Sequence, residues 1–204
     1  MNYPTGIKVP TKKNTTYGNR GMTLENDLNE TNNYYLVNDI VVIYKKPTPI
    51  TVVDVDYRSR NDAIIKKAYF KTPSTTDYNG IYKGKYIDFE AKETTSKTSF
   101  PLSNIHQHQI EHLKRINNHG GIAFLIIRFT ALNLTYILSY YDLESFVLES
   151  NKKSIPLEYF EKHGKIIIDK YSPRVDYLSI IDEIYFKGDV LWKQKILERI
   201  KKVI

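Results

Sequence analysis

Asp77, Glu90 and Lys92 are the side chains whose types and spacing could act together on a phosphate. Residues Tyr86 to Lys92 alternate in character, so a strand here directs Ile87, Phe89 and Ala91 to one face and Asp88, Glu90 and Lys92 to the other. A hairpin turning at Lys83-Gly84 sets Asp77 opposite Glu90 and Thr75 opposite Lys92. Directly opposed residues have Cβ atoms about 5 Å apart, and two carboxylates at that separation repel unless a cation lies between them. Oxygen ligands, with no thiolate or suitably spaced histidines, favour magnesium over zinc, with manganese able to substitute. A lysine beside Glu90 on the same face can orient a water and neutralise charge developing on a phosphate oxygen.

Two bland alternatives stand beside this one. The competing turn, Asn79-Gly80, is the stronger two-residue signal by composition; it would put Asp77 opposite Tyr82 and send Glu90 elsewhere. The hairpin could also be a solvated face whose alternating charges keep it soluble. A bare Glu-x-Lys is weak evidence; an aspartate in STTDYNG, twelve intervening residues, then Glu90-Ala91-Lys92 is stronger and resembles the PD-(D/E)XK nuclease signature.

The elements that must position these residues alternate in type and read as mixed α/β. Met22 to Leu36 has helical spacing, with Thr23 as N-cap, Glu25 in the first turn, and Leu24, Leu28, Tyr35 and Leu36 broadly on one side. Ile40 to Tyr44 reads as a short buried strand ended by Pro47 and Pro49. Ile50 to Phe70 reads as a second antiparallel ribbon that leaves the sheet and returns. After the hairpin, a helix is expected over Leu102 to Asn117, stopped by Gly120 and Gly121. Its apolar stripe, Leu102, Ile105, Leu113 and Ile116, is interrupted by Gln109. That glutamine either overlies a polar cavity and supports an active site, or sits at the stripe's edge and bonds locally. His108 and His112 stand four apart without a third ligand nearby, so they read as a solvated or phosphate-facing pair and not as a zinc site. Gly121 to Phe129 is almost continuously apolar, as for a strand covered on both faces; Leu132 to Tyr140 is its partner. A helix from Asp142, a short helix containing Phe160, a strand at Ile166 to Ile168 and a helical tail from Tyr177 complete the pattern.

Composition narrows the partners. The chain has 204 residues, 41% of them apolar, enough for one domain with a buried core. With no cysteine there is no disulfide framework, which agrees with a reducing cytoplasm. No apolar run approaches a membrane span. The formal net charge of +7 suits an anionic partner. Its placement says more: residues 1–20 carry Lys8, Lys12, Lys13 and Arg20 without any acid, which reads as a disordered basic arm able to meet phosphates, or as a frayed solubilising tail. Arg58, Arg60, Lys66 and Lys67 cluster at the tip and return arm of the 50–70 ribbon, either to keep an excursion soluble or to form a DNA-binding prong. The expected organisation is a basic arm over 1–20, a single domain over 21–186 and a helical tail over 187–204.

Several segments together resemble the RecU family of Holliday junction resolvases: NRGMTLENDLNET from Asn19, KKPTP from Lys45, VDY from Val55, AYFKTPSTTDYNGIYKGKYIDFEAKET from Ala68, TSFPL from Thr98, HQIEHL from His108, and YSPRVDY from Tyr171. The likeness runs to about Phe186 and leaves the last eighteen residues unmatched. It implies a restriction-endonuclease-like α/β core, a mixed sheet flanked by helices with a projecting β-ribbon stalk. It also implies a homodimer that uses Mg2+ to cut opposed strands of a four-way DNA junction by symmetric paired nicks, leaving 5′-phosphates. By matched position, Asp77 and Glu90 would hold metal, Thr75 would complete the site, Lys92 would position the attacking water, and Glu25 would be an additional acid near the metal. Arg60 is then the foremost arginine of a stalk reaching the crossover. The family is also linked to modulation of the RecA recombinase.

Overall fold

The computed structural model describes residues 23–57, 59, 62–70 and 75–186. The expected N-terminal arm with Arg20, the ribbon-tip residues Arg58 and Arg60, and the tail over 187–204 lie outside the described residues.

The chain forms a mixed six-stranded sheet with helices on both faces. Helix α1 (Thr23–Val37) leads to β1 (Val42–Lys45); a separate pair follows, β2 (Ile50–Asp56) and β3 (Ile64–Phe70). Then come β4 (Tyr78–Tyr82), β5 (Lys85–Thr94), β6 (Ser99–Pro101), α2 (Gln107–Asn118), β7 (Ile122–Phe129) and β8 (Leu134–Ser139). The chain continues through α3 (Tyr140–Glu149), β9 (Ser154–Pro156), α4 (Leu157–His163), β10 (Lys165–Ile167) and α5 (Tyr177–Ile181), which widens into a π turn over Asp182–Phe186. The large sheet runs β1-β4-β5-β7-β8-β10. Only β5 and β7 in it are parallel; α2 makes the crossover between them.

Alternation along the strands builds two cores. Ile87, Phe89, Phe124 and Ile126 face α1 and α5, with Leu24, Leu28, Tyr35, Tyr177 and Leu178. Ala123, Leu125, Ile127 and Phe129 face the opposite side, with Leu113, Leu143, Phe146 and Phe160 of α2, α3 and α4. β7 is buried throughout, as its unbroken apolar run demands. On β5, by contrast, the side facing α2 carries Asp88, Glu90 and Lys92, so an apolar sheet face turns ionic at one strand.

The hairpin register is the decisive local feature. Lys83 and Gly84 both have positive φ, 48° and 76°, the pattern of a two-residue turn matched to strand twist. The ladder pairs Tyr78 with Phe89, Asn79 with Asp88 and Gly80 with Ile87. Phe89 stacks between Tyr78 and Phe124, with centroids 4.9 and 4.8 Å away and rings within about 12° of parallel. A one-residue slip would break this stack and drive the carboxylates into the α1 core. Gly80 lies inside β4, not in the turn: a Cβ there would come within 2.0 Å of the Val42 carbonyl oxygen on β1. Gly80→Ala is therefore expected to destabilise the fold by about 1–3 kcal/mol, the usual range for overpacking. A lowered urea midpoint at unchanged slope would show it; an unchanged midpoint would refute the close approach.

Some boundaries differ from expectation. Helix α1 includes Thr23, and Leu36 is exposed at its C-terminal end, outside the buried stripe. β1 is an edge strand with only Ile43 buried within it; Ile40, Val42 and Tyr44 are exposed. α2 begins five residues later than its apolar spacing suggests, because Leu102–Asn104 form a separate 3-10 turn after β6. The 50–70 segment does form a two-stranded ribbon. All of β3 is exposed, as is all of β2 apart from the half-buried Asp56. No helix among the described residues is long and apolar enough to cross a membrane.

Candidate active site

Glu90 is fully buried on β5, beneath Gln109 of α2. Its Oε1 receives two donors, Gln109 Nε2 at 2.7 Å and Lys92 Nζ at 2.5 Å. Its Oε2 is equally buried and has no hydrogen-bond partner among the described residues. Burial raises the carboxyl's pKa first and the charge of Asp77 next; Lys92 and Gln109 oppose them, leaving a pKa of about 7. Asp77 is thus close enough for its charge to be felt at Glu90. It sits just before β4, where its Oδ2 accepts from the Ala91 N–H at 3.1 Å.

The hairpin has the register expected of a Lys83-Gly84 turn, with one correction at its open end. The regular ladder stops at Tyr78 and Phe89, so neither Asp77 nor Thr75 occupies a ladder position. Asp77 reaches β5 through its side chain, and Thr75 turns its hydroxyl to Lys46 Nζ, 3.1 Å away. Gln109 faces Glu90: its Oε1 accepts the His106 N–H at the start of α2, which fixes the amide so that its NH2 points at Glu90. Glu25 is engaged by the Lys45 ammonium. Its charge and that of Asp77 both push up the Tyr78 phenol, after burial.

A second cluster, unassigned by the sequence, adjoins the first. Asp88 is fully buried on the same face of β5. Its Oδ2 meets Lys46 Nζ at 2.6 Å, the Tyr86 hydroxyl at 3.1 Å and His112 Nε2 at 3.1 Å, while its Oδ1 accepts from the Thr76 hydroxyl. His112 is therefore half-buried against Asp88, where its spacing from His108 suggested a solvated or phosphate-facing side. It turns inward because α2 packs this side over β5. Asp88 was legible from strand alternation; Lys46, beside Pro47 at the end of β1, gave no local signal.

The donor set suits a hard divalent cation. Asp77 lies close enough to act electrostatically on Glu90, which keeps one bare buried oxygen, and the Gln109 amide donates to the other. Among the described residues no three His, Asp or Glu side chains come together as a ready-made metal cluster. On the ribbon, Lys66 faces Asp56 at 3.2 Å and Lys67 lies over the Tyr69 ring, 5.4 Å from its centre.

Known proteins share this chain's sequence along nearly all of the described fold. The family described as "Recombination protein U" matches residues 19–183. A Holliday junction resolvase RecU of Bacillus thuringiensis (strain Al Hakam) is 54% identical over 182 residues, covering 88% of this chain and 90% of its own length. That of Bacillus cytotoxicus is 55% identical over 177 residues, covering 85% and 88%. Similarity of this extent, spanning the hairpin, the crossover helix and the closing helix, means that the chain belongs to the recombination protein U family.

Proposed function

We propose that this protein is a divalent-metal-dependent endonuclease that resolves four-way DNA junctions, with its site at Asp77, Glu90 and Lys92. The observation carrying this reading is the buried, unpartnered Oε2 of Glu90 beside a second carboxylate, with an ammonium 2.5 Å from its other oxygen. Lys92 and Gln109 serve only one of the Glu90 oxygens, and the nearby Asp77 charge disfavours its ionisation, so the pair suits a cation. Asp77 and Glu90 hold Mg2+, or Mn2+ in its place, with Thr75 adding a hydroxyl and Gln109 keeping Glu90 in position. A cation held by these residues would supply a water of lowered pKa and stabilisation of charge on the scissile phosphate. Lys92 orients the attacking water and shields the phosphate oxygens as they gain charge. Water adds to phosphorus in line, the P–O3′ bond breaks, and the product keeps a 5′-phosphate.

The wider reading follows from the same fold. The sheet, with its acidic hairpin beside a crossover helix, suits a restriction-endonuclease-like core over 21–186. The β2–β3 ribbon acts as a stalk: its Ile50, Val52, Val53, Ile64, Ile65 and Phe70 are exposed, an apolar surface that calls for a cover. A second copy of the chain supplies that cover. A homodimer also matches the twofold symmetry of a junction and supplies two sites for paired nicks. Lys66, Lys67, Arg58 and Arg60 of the stalk and Arg20 of the arm contact the DNA backbone. Modulation of the RecA recombinase is a further property expected of a member of this family.

The test is a cleavage assay on a synthetic four-way junction and on a linear duplex of the same sequence, each with magnesium, manganese or chelator. Symmetric nicks in the junction alone, present with either metal and absent with chelator, are expected. Binding of the junction without cutting in either metal would replace this reading with a junction-binding protein whose nuclease site is vestigial.

A further inference from the structure

We infer that Lys46 and Asp88 are positioning residues that lock the segment carrying Thr75 and Asp77 against β5 and so preform the metal site. The inference rests on the assignment of Asp77 and Glu90 as metal ligands above.

Residues 75–77 are the part of the hairpin that the sheet does not hold. The β4 ladder begins at Tyr78, so Thr75, Thr76 and Asp77 lack its regular hydrogen bonds. One residue grips all three. The Lys46 N–H donates to the Asp77 carbonyl at 2.7 Å. The Lys46 ammonium donates to Thr75 Oγ1 at 3.1 Å and to Thr76 Oγ1 at 2.6 Å. Lys46 is in turn moored: its third contact is Asp88 Oδ2 at 2.6 Å, and Thr76 donates to the other Asp88 oxygen.

Asp88 and Glu90 lie two residues apart on one strand face and are equally buried, yet their surroundings differ. Every Asp88 oxygen has a donor, and Oδ2 is ringed by Lys46, Tyr86 and His112. Glu90 keeps one oxygen bare. Asp88 is therefore compensated by protein, and Glu90 is left for the cation. The same ion pair keeps a third carboxylate from competing for the metal. Breaking it exposes the site twice over: Thr75 and Asp77 lose their anchor, and whichever charge remains is buried without a partner.

The readout is Mn2+ binding to DNA-free protein, followed by electron paramagnetic resonance, with thermal unfolding recorded in parallel. Lys46→Met and Asp88→Asn are each expected to weaken Mn2+ binding by about 10–100-fold, the usual effect of losing an outer-shell partner. The double variant Lys46→Met/Asp88→Asn removes both charges, so it leaves no unpaired ion in the core and answers the question if a single variant does not fold. It should bind Mn2+ no worse than the weaker single variant, because the two residues act as one unit. A folded double variant with native Mn2+ affinity and only a lower melting temperature would overturn the inference, leaving a structural ion pair. Asp77→Ala is titrated alongside. If it too binds Mn2+ natively, the metal assignment fails and takes the inference with it; if it alone loses binding, only the positioning role fails.

Discussion

Asp77→Ala is expected to abolish cleavage of a four-way junction while leaving junction binding intact or slightly tighter. The two halves of this result have separate causes. Cleavage fails because Glu90 alone is left to hold the cation, the neighbouring Asp88 being occupied by Lys46, Tyr86 and His112. Removing Asp77 also lets Glu90 pair more completely with Lys92, 2.5 Å away, taking from the lysine the freedom to face a phosphate. Binding survives because affinity for DNA comes from cations spread over the surface of a chain of net charge +7. Deleting a carboxylate beside the phosphate only reduces repulsion in the absence of metal. Lys92→Met is the companion variant. It removes one preorganised positive group and should lower the cleavage rate by about 10²–10³-fold, the range found for losing a single transition-state donor. The assay is single-turnover cleavage with a gel-shift titration in chelator. Undiminished cutting by Asp77→Ala would remove the hairpin from the chemistry altogether.

The hairpin that carries these residues was legible because two independent signals agreed. Alternation from Tyr86 to Lys92 gave the faces, and Lys83-Gly84 gave the turn and the register that ends at Tyr78 and Phe89, leaving Asp77 next to the strand that carries Glu90. The rival Asn79-Gly80 signal does not mark the turn, for a physical reason: Gly80 is required by contact with β1, and a turn dipeptide cannot announce that it serves a neighbouring strand. Gln109 was visible as a polar gap in an apolar stripe, since a glutamine facing the sheet needs a partner, and Glu90 is that partner. Lys46 and the role of Asp88 could not be read. Their cluster joins the end of β1, the approach to β4, β5 and α2, contacts spanning up to 66 residues, and no local periodicity encodes which distant side chains meet. The start of α2 was misplaced because Leu102 and Ile105 continue the helical spacing of Leu113 and Ile116, although the chain makes a 3-10 turn between Pro101 and Ile105. Burial at Leu36 and Ile40 was overestimated because apolar spacing does not say which residues lie at an exposed helix end or sheet edge.

The metal-free protein should lose stability as pH rises, and Glu90 should be the main reason. Its carboxyl is held at about 7 in the folded protein, chiefly by burial, against an ordinary value of 4.5. Below the ordinary value both folded and unfolded chains carry the proton. Between the two values the folded chain keeps a proton that the unfolded chain has released, so stability falls with rising pH; above about 7 the loss is complete. At about 1.4 kcal/mol per pH unit this amounts to roughly 3 kcal/mol. Glu93, also raised by burial, adds in the same direction, while Glu144, lowered chiefly by the Tyr140 hydroxyl, opposes it. Glu90→Gln isolates the effect, because the amide keeps the shape and cannot ionise. Thermal melts in chelator from about pH 5 to about pH 8 should fall for the native protein and run markedly flatter for the variant. Adding Mg2+ or Mn2+ should then raise the native melting temperature far more at the alkaline end, where the ligand is already ionised. Parallel slopes for the two proteins would mean that the folded protein holds Glu90 as an ordinary carboxylate, and the argument that its bare oxygen awaits a cation would fail with it.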